Sequence, residues 1–119
     1  MKALIVDDSM INIKVAQKLL EHFGVEVHFV LNGKACLEEI KNNSYDIIFM
    51  DIMMPEMDGV ETFHHLKEIP DFQTPVVALT ADAKTGAKEE YLRIGFDGYI
   101  AKPIHLDELK VILDKYKEE

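Results

Sequence analysis

The hydrophobic residues of this chain fall into five short runs, separated by longer segments in which apolar residues recur every three or four positions. Three of the runs, residues 4–6, 47–50 and 76–79, are continuous and rich in β-branched or large apolar side chains. Such runs are typical of parallel strands that are buried on both faces. Two weaker runs, residues 25–30 and 98–101, complete a set of five predicted strands.

The segments between the strands have the apolar spacing of helices that bury one face. The first predicted helix has Ser9 or Asp8 available as its N-terminal cap. Its buried face comprises Ile13, Ala16, Leu19, Leu20 and Phe23. Four later helices are predicted around residues 36–40, 60–67, 87–92 and 106–113. The chain is therefore a βα unit repeated five times.

Strands that alternate with helices predict a parallel sheet covered on both faces, because each crossover is right-handed and carries its helix to one side. For five strands the flavodoxin-like order 2-1-3-4-5 is favoured, which makes the chain an α/β three-layer (βα)5 sandwich. With 119 residues and no linker or repeat, we expect one domain over residues 1–119. In such sheets ligands bind at the carboxyl ends of the strands, here between the first and third strands.

Three acidic residues follow the strands at that point. Asp7 and Asp8 come after the first predicted strand, and Asp51 comes after the third. An isolated Asp-Asp pair could equally well be a helix cap as part of a binding site. Two carboxylates about 4 Å apart repel each other by about 4 kcal/mol at an effective dielectric constant near 20, so the cluster should bind protons or a cation. Mg²⁺ suits so few carboxylates better than Ca²⁺, and Zn²⁺ is disfavoured because no histidine is beside these acids in sequence.

A hydroxyl and an ammonium group are predicted at the same edge of the sheet. Thr80 ends the fourth strand and Lys102 follows the fifth. Together with the acids and a metal, they supply the parts for phosphoryl transfer to an aspartate. In this interpretation Asp51 is the nucleophile, Lys102 and the metal neutralise charge on the phosphoryl oxygens, and Thr80 donates a hydrogen bond to one of them.

These residues resemble the receiver domain of two-component response regulators, over essentially the whole chain. The resemblance rests on an ordered set of motifs, none of which is specific alone. They are Val6-Asp7-Asp8, Met50-Asp51-Ile52-Met53-Met54-Pro55 with Met57-Asp58-Gly59, Ala78-Leu79-Thr80-Ala81, and Gly98-Tyr99-Ile100-Ala101-Lys102-Pro103. The family to which the sequence is similar is a phosphorylation switch, so the same function is expected here.

The resemblance also implies a magnesium site and a phosphoacceptor. It makes Asp51 the acceptor of the phosphoryl group and, with Asp8, a direct ligand of Mg²⁺. Asp7 would act on the metal through water, and Met53 would contribute its backbone carbonyl. Lys102 would bind the phosphoryl group, and the bond to Pro103 is a candidate cis peptide, as in many relatives.

A conformational switch is implied as well. Thr80 and Tyr99 would be its two residues, the ring of Tyr99 moving inward as Thr80 turns towards the phosphoryl group. We expect the affected surface to comprise the fourth helix from about Ala83, the fifth strand, and the fifth helix after His105. A histidine kinase or histidine phosphotransfer protein would donate the phosphoryl group, docking near the first helix and the loop after the fifth strand.

Charge limits the remaining partners. The chain has 22 acidic and 13 basic residues, a net charge of -9, so direct nucleic-acid binding is not expected. No apolar run is long enough to cross a bilayer, and no secretory signal is recognised, so we expect a soluble protein in the cytoplasm. The single cysteine, Cys36, is predicted to be a buried core residue, and the five histidines are predicted to be ordinary surface residues.

Several alternatives stay open from the sequence. A phosphohydrolase of the haloacid-dehalogenase type also uses an aspartate after a strand, but it needs a second acid where this chain has Met53. A flavodoxin would need a hydroxyl-rich first loop, and a phosphorylation-independent binding module would need an inert site. The resemblance also implies that Met53 and Asp82 flank the path of attacking water. Met53 lacks a group that could orient this water, so we expect slow loss of the phosphoryl group. Dimerisation, and an output domain or other downstream partner, are not decided by these residues.

Overall fold

Five parallel strands form one sheet in the order β2-β1-β3-β4-β5 in the computed structural model, which describes residues 1–81 and 85–117. The strands are β1 Lys2–Val6, β2 Glu26–Val30, β3 Ile47–Asp51, β4 Val76–Thr80 and β5 Gly98–Ala101. The helices are α1 Met10–His22, α2 Gly33–Asn42, α3 Gly59–Lys67, α4 Ala87–Ile94 and α5 Leu106–Lys117. The predicted fold class and strand order are confirmed.

The two faces of the sheet bury separate apolar clusters because successive residues of a strand point to opposite sides. On one face, Ile5 and its equivalents in the other strands pack against α1 and α5, through residues such as Leu20 and Leu109. On the other face, Leu4 and its equivalents pack against α2, α3 and α4, through residues such as Phe63. Burial of this apolar surface on both sides is the main force that holds the layers together.

Three helices begin at the carboxyl edge of the sheet with a side-chain cap. The Ser9 side chain accepts a hydrogen bond from the backbone N–H of Asn12 at 3.3 Å, so Ser9, and not Asp8, is the cap of α1. Asn32 and Asp58 cap α2 and α3 in the same way, at 2.7 and 2.8 Å. Each cap satisfies a backbone donor that the helix leaves unpaired, so the loops at this edge are held in place.

The strands differ from the predicted apolar runs by one or two residues at several ends. The second strand begins at Glu26 rather than at Val25, because the N–H of Val25 is bonded to the carbonyl of Leu20 at the end of α1. The third strand includes Asp51, which pairs with Leu79 in the sheet. Asp51 is therefore a member of the strand and not the first residue after it, which fixes its backbone more firmly than a loop position would.

Cys36 is a buried core residue, as predicted. Cys36 is buried at 0% exposure, and burial, reinforced by the charge of Glu39, raises the pKa of its thiol to about 12. Such a thiol stays protonated and unreactive at neutral pH.

Within residues 1–81 and 85–117, no helix combines the length and the hydropathy that a membrane span requires.

Gly59 places the start of α3 directly against the backbone of the acidic site. Its N–H donates to the carbonyl of Ile52 at 2.9 Å. A Cβ atom at this position would lie 2.4 Å from the backbone oxygen of Asp51 and 2.8 Å from the Cα of Ile52. Neither is a flexible side-chain end that could move aside, so only glycine allows this approach.

We predict that Gly59→Ala lowers the free energy of unfolding by about 1–3 kcal/mol, because the added methyl group forces the backbone at Asp51 to move. Gly98→Ala is the matched control, since its Cβ would meet the Val77 side chain at an ordinary 3.4 Å. We expect Gly98→Ala to leave stability unchanged or slightly higher. Urea unfolding measures both, and equal losses for the two variants would contradict the prediction.

Candidate functional site

The carboxyl edge of the sheet brings together residues from four strands. Asp7 directly follows β1, and its N–H extends the pairing with β2 by donating to the carbonyl of Val30 at 3.2 Å. Lys102 directly follows β5, and its N–H donates to the carbonyl of Thr80 at 2.8 Å. Asp51 and Thr80 are the last residues of β3 and β4. The predicted convergence of these side chains on one edge is therefore observed.

The three acids form one compact oxygen cluster. One carboxylate oxygen from each of Asp7, Asp8 and Asp51 lies within 4.8 Å of the other two. Asp7 and Asp51 are 1% and 4% exposed, whereas Asp8 is exposed to solvent. Among the described residues, no histidine or cysteine joins this group. A few hard oxygen ligands that are open to water on one side fit Mg²⁺ and not Zn²⁺.

Lys102 bridges the two buried acids. Its Nζ lies 2.9 Å from Oδ1 of Asp51 and 3.1 Å from Oδ2 of Asp7. Burial alone would lower the pKa of Lys102, but its hydrogen bond to Asp51 and the charges of Asp51 and Asp7 outweigh burial, so the pKa is raised. The lysine is therefore a fixed cation. The peptide bond from Lys102 to Pro103 is cis, as the family resemblance implies.

The charge of the site is only partly balanced. When all three acids are ionised, the ammonium group of Lys102 leaves two negative charges among these four described residues. Burial raises the pKa of Asp51; its hydrogen bond to Lys102 opposes that effect, and the charges of Asp7 and Asp8 add to it, so the net shift is upward. The site is thus built to accept further positive charge.

Asp7 is held by bonds to both of its carboxylate oxygens. Oδ1 accepts from the backbone N–H of Ser9 at 2.9 Å, and Oδ2 accepts from Lys102. The same Ser9 caps α1 with its side chain. The orientation of Asp7 is therefore set by the turn that starts the first helix, a role of the Ser9 backbone that sequence patterns alone do not reveal.

Thr80 and Tyr99 lie on the same face of the sheet. Ala78 pairs with Tyr99, and Thr80 pairs with Ala101, in the parallel ladder between β4 and β5. Because side chains alternate along a strand, Tyr99 and Thr80 both point towards the α4 side. Thr80 is completely buried, and Tyr99 is partly buried.

The remaining predicted positions are less enclosed. Met53, two residues after Asp51, has an exposed side chain at 73%. Asp82 and Ala83, which were expected to flank the water path and to begin the switch surface, lie outside the described residues. All five histidines are exposed, as expected for surface residues.

One contact was missed by sequence reasoning. Tyr91 of α4 stacks on Tyr99, with ring centroids 5.9 Å apart and planes at 19°. The two residues are in different elements and share no sequence motif. Only the register of β5 and the placement of α4 bring their rings together.

The fold and this constellation define an α/β domain with an acidic site at the carboxyl edge of its parallel sheet, and comparison with known proteins assigns the family. The family described as the response regulator receiver domain matches residues 3–114. The chain belongs to this family.

Its relatives include proteins much longer than this chain. It is 39% identical over 118 residues to the signal transduction histidine-protein kinase BarA of Escherichia coli (strain K12), an alignment that covers 98% of this chain and 13% of BarA. The chain therefore spans only a small part of the length of this curated relative.

Solved structures agree in fold. The Francisella response regulator 1452 receiver domain has a TM-score of 0.82 at 36% identity, covering 98% of this chain and 97% of that one. The receiver domain of the sensor histidine kinase PA1611 from Pseudomonas aeruginosa has a TM-score of 0.88 at 30% identity, covering 99% and 98%. That second structure has a magnesium ion coordinated in its active-site cleft.

The raised pKa of Asp51 predicts a pH-dependent stability in metal-free buffer. Because the folded chain favours the neutral carboxyl of Asp51, protonation of this group contributes to the free energy of unfolding. That contribution is fully present below the ordinary pKa of 3.8 and is lost as the pH rises through the raised pKa of the folded chain. The variant Asp51→Asn cannot ionise there. We therefore expect the stability of the wild type to fall relative to Asp51→Asn as the pH increases from about 4.

Urea unfolding of both proteins at a series of pH values, with a chelator present, measures this difference. Asp114→Asn, at an exposed carboxylate on α5, is the control and should follow the wild type. A stability difference between wild type and Asp51→Asn that stays constant over this pH range would contradict the prediction.

Proposed function

We propose that this chain is a phosphoacceptor switch of a two-component or phosphorelay system. In the proposed reaction a carboxylate oxygen of Asp51 attacks the phosphorus of a phosphohistidine on a kinase or phosphotransfer protein. The new O–P bond forms, the P–N bond breaks, and the imidazole leaves with the electron pair and takes up a proton. The observation that carries this proposal is the position of Asp51, buried beside Lys102 and within the acidic cluster.

Magnesium is the proposed cofactor. Asp8 and Asp51 would be its direct ligands, with Asp7 acting through water and Met53 through its backbone carbonyl. The close approach of the three carboxylates and the excess negative charge support this assignment, and so does the magnesium in the PA1611 receiver domain. When bound, the ion would neutralise charge on the phosphoryl oxygens.

Lys102 and Thr80 have proposed roles towards the phosphoryl group. The Nζ of Lys102 already contacts the Asp51 carboxylate, so a phosphoryl group attached there would form within reach of the ammonium. Thr80 ends the neighbouring strand and offers a hydroxyl donor from the α4 side. Two donors on different sides of the acceptor would stabilise the added charge, Lys102 from its present position and Thr80 after it turns towards the phosphoryl oxygens.

The added charge is proposed to move Thr80 and Tyr99 as a switch pair. Phosphorylation adds about 1.5 to 2 negative charges and strong acceptor oxygens beside Thr80. Turning Thr80 towards those oxygens opens space on the face that it shares with Tyr99. The output surface would then be formed by α4, β5 and α5, where a downstream protein, an output domain or a second copy of the chain would bind.

The phosphoryl donor is proposed to dock over α1 and the loop between β5 and α5. Ile11 and Val15 expose apolar surface on α1, at 76% and 49%. A cleft of about 140 Å³ lies between α1 and this loop, lined in part by Val15, Pro103 and Ile104. Asp7 and Lys102 lie at its wall, so a partner seated there would reach the acceptor.

We take residues 1–119 as one receiver domain, acting in the cytoplasm without direct contact to nucleic acid. The family match over residues 3–114 and the net charge of -9 support this view. The proposal excludes turnover of phosphate as the main activity, since the exposed apolar Met53 stands where a haloacid-dehalogenase-type enzyme needs an acid.

Phosphorylation with a small donor tests the proposal. We expect the wild type, mixed with acetyl phosphate and Mg²⁺, to gain the mass of one phosphoryl group, measured on the intact protein. Asp51→Asn should gain none, the exposed control Asp114→Asn should behave as the wild type, and a chelator should abolish the adduct. Continuous release of phosphate would favour a phosphohydrolase, and no adduct on the wild type would favour a binding module.

A second prediction concerns the lifetime of the phosphoryl group. Met53→Asn places an amide beside the acceptor that can orient attacking water, so we expect phosphate to be lost several-fold faster. Val111→Asn, at a position of similar exposure on α5, is the control and should leave the rate unchanged. The loss of the adduct is followed by intact mass after the donor is removed. An unchanged rate in Met53→Asn would count against a role for Met53.

A further inference from the structure

The ring of Tyr99 is not isolated at the edge of the sheet. It stacks on Tyr91 of α4, with 5.9 Å between ring centroids and 19° between ring planes. Both values are within the range of favourable offset aromatic pairs. β5 is an edge strand of the described sheet, and α4 packs against it on the face to which Tyr99 points.

Tyr91 is itself anchored to the core by other rings. It meets Phe96 edge to face at 6.0 Å and 85°, and Phe96 stacks on Phe63 at 4.2 Å and 22°. Phe96 and Phe63 are 3% and 1% exposed. A Cβ at Gly95 would lie 3.2 Å from the ring of Phe63, so the glycine that ends α4 lets this ring approach. Tyr91 therefore belongs to a row of ring contacts that runs from Phe63 in α3 through Phe96 to Tyr99.

We propose that Tyr91 is a positioning residue that holds the ring of Tyr99 in the place it occupies before phosphorylation. The inference rests on the proposed switch and adds a restraint to it. Movement of Tyr99 must either separate the two rings or carry α4 with it. Because Tyr91 also contacts Phe96 of the core, the restraint opposes separation of the Tyr91 and Tyr99 rings.

The restraint has a measurable size. Aromatic pairs contribute a modest energy beyond their burial, which corresponds to about a two- to tenfold change in an equilibrium between two positions of Tyr99. The apparent affinity for a ligand of the switched state is reduced by the fraction of chains in that state. Removing the Tyr91 ring should therefore strengthen binding of beryllofluoride, a mimic of the phosphoryl group, by about two- to tenfold.

The first arm of the test needs no phosphorylation. The protein is labelled with 3-fluorotyrosine, and the ¹⁹F resonance of Tyr99 is assigned with Tyr99→Phe. In Tyr91→Leu, which keeps a strong helix former at this position of α4, the Tyr99 resonance should shift because the ring current of Tyr91 is gone. An unshifted resonance would overturn the proposal, since the rings would then not be in contact in solution.

The second arm measures beryllofluoride affinity in the presence of Mg²⁺. We expect tighter binding to Tyr91→Leu, and wild-type affinity for Tyr91→Phe, which keeps the ring. Leu92→Ala is the matched control on the same helix, with a side chain that is 41% exposed, and should also bind as the wild type. Thermal unfolding confirms that each variant is folded before it is compared.

The outcomes separate the two proposals. Tighter binding to Tyr91→Phe or to Leu92→Ala would assign the effect to the hydroxyl or to general loosening of α4, and would overturn the role of the ring. Unchanged or weaker binding to Tyr91→Leu would also overturn it. If the wild type itself binds no beryllofluoride, both the phosphoacceptor proposal and the proposed switch are wrong. The ¹⁹F shift still reports whether the rings of Tyr91 and Tyr99 are in contact.

Discussion

The ion pairs of Lys102 hold the site together. One ammonium group contacts two buried carboxylates that belong to different strands, at 2.9 and 3.1 Å. Without it, Asp7 and Asp51 would be buried like charges, which fold stability tolerates poorly. With it, the carboxyl ends of β1, β3 and β5 are linked by a single cation. The same contacts that stabilise the unphosphorylated chain therefore also place a positive charge beside the carboxylate that is proposed to accept the phosphoryl group.

Much of the fold and the polar part of the site could be predicted from the sequence because both depend on strand ends. Continuous apolar runs identify β1, β3 and β4, and the carboxyl ends of parallel strands must meet at one edge. Asp7 and Asp51 follow such runs on neighbouring strands, so their proximity follows from the topology, whereas Lys102 follows the weaker run of β5, which lies two strands away from β3. The caps at Ser9 and Asp58 could be anticipated for a similar reason, since a short polar side chain precedes each helix.

What could not be predicted depends on packing between distant elements. The stack of Tyr91 on Tyr99 needs the placement of α4 over the edge of the sheet, and periodicity contains no information about that placement. Asp51 is included in β3 because it pairs with Leu79. An acidic residue at the end of an apolar run does not predict this pairing. The close approach of Gly59 to the backbone of Asp51 is a third case, because the sequence shows a glycine but not the atom that the glycine approaches.

The alternation of side chains along the strands has one more consequence. The cleft proposed for the phosphoryl donor is on the α1 and α5 side of the sheet, and the ring of Tyr99 points to the α4 side. One sheet of backbone, with no shared side chain, separates the two surfaces. A donor in the cleft would therefore approach the acceptor from the face opposite to Tyr99, on the same side of the sheet as α5, which belongs to the proposed output surface.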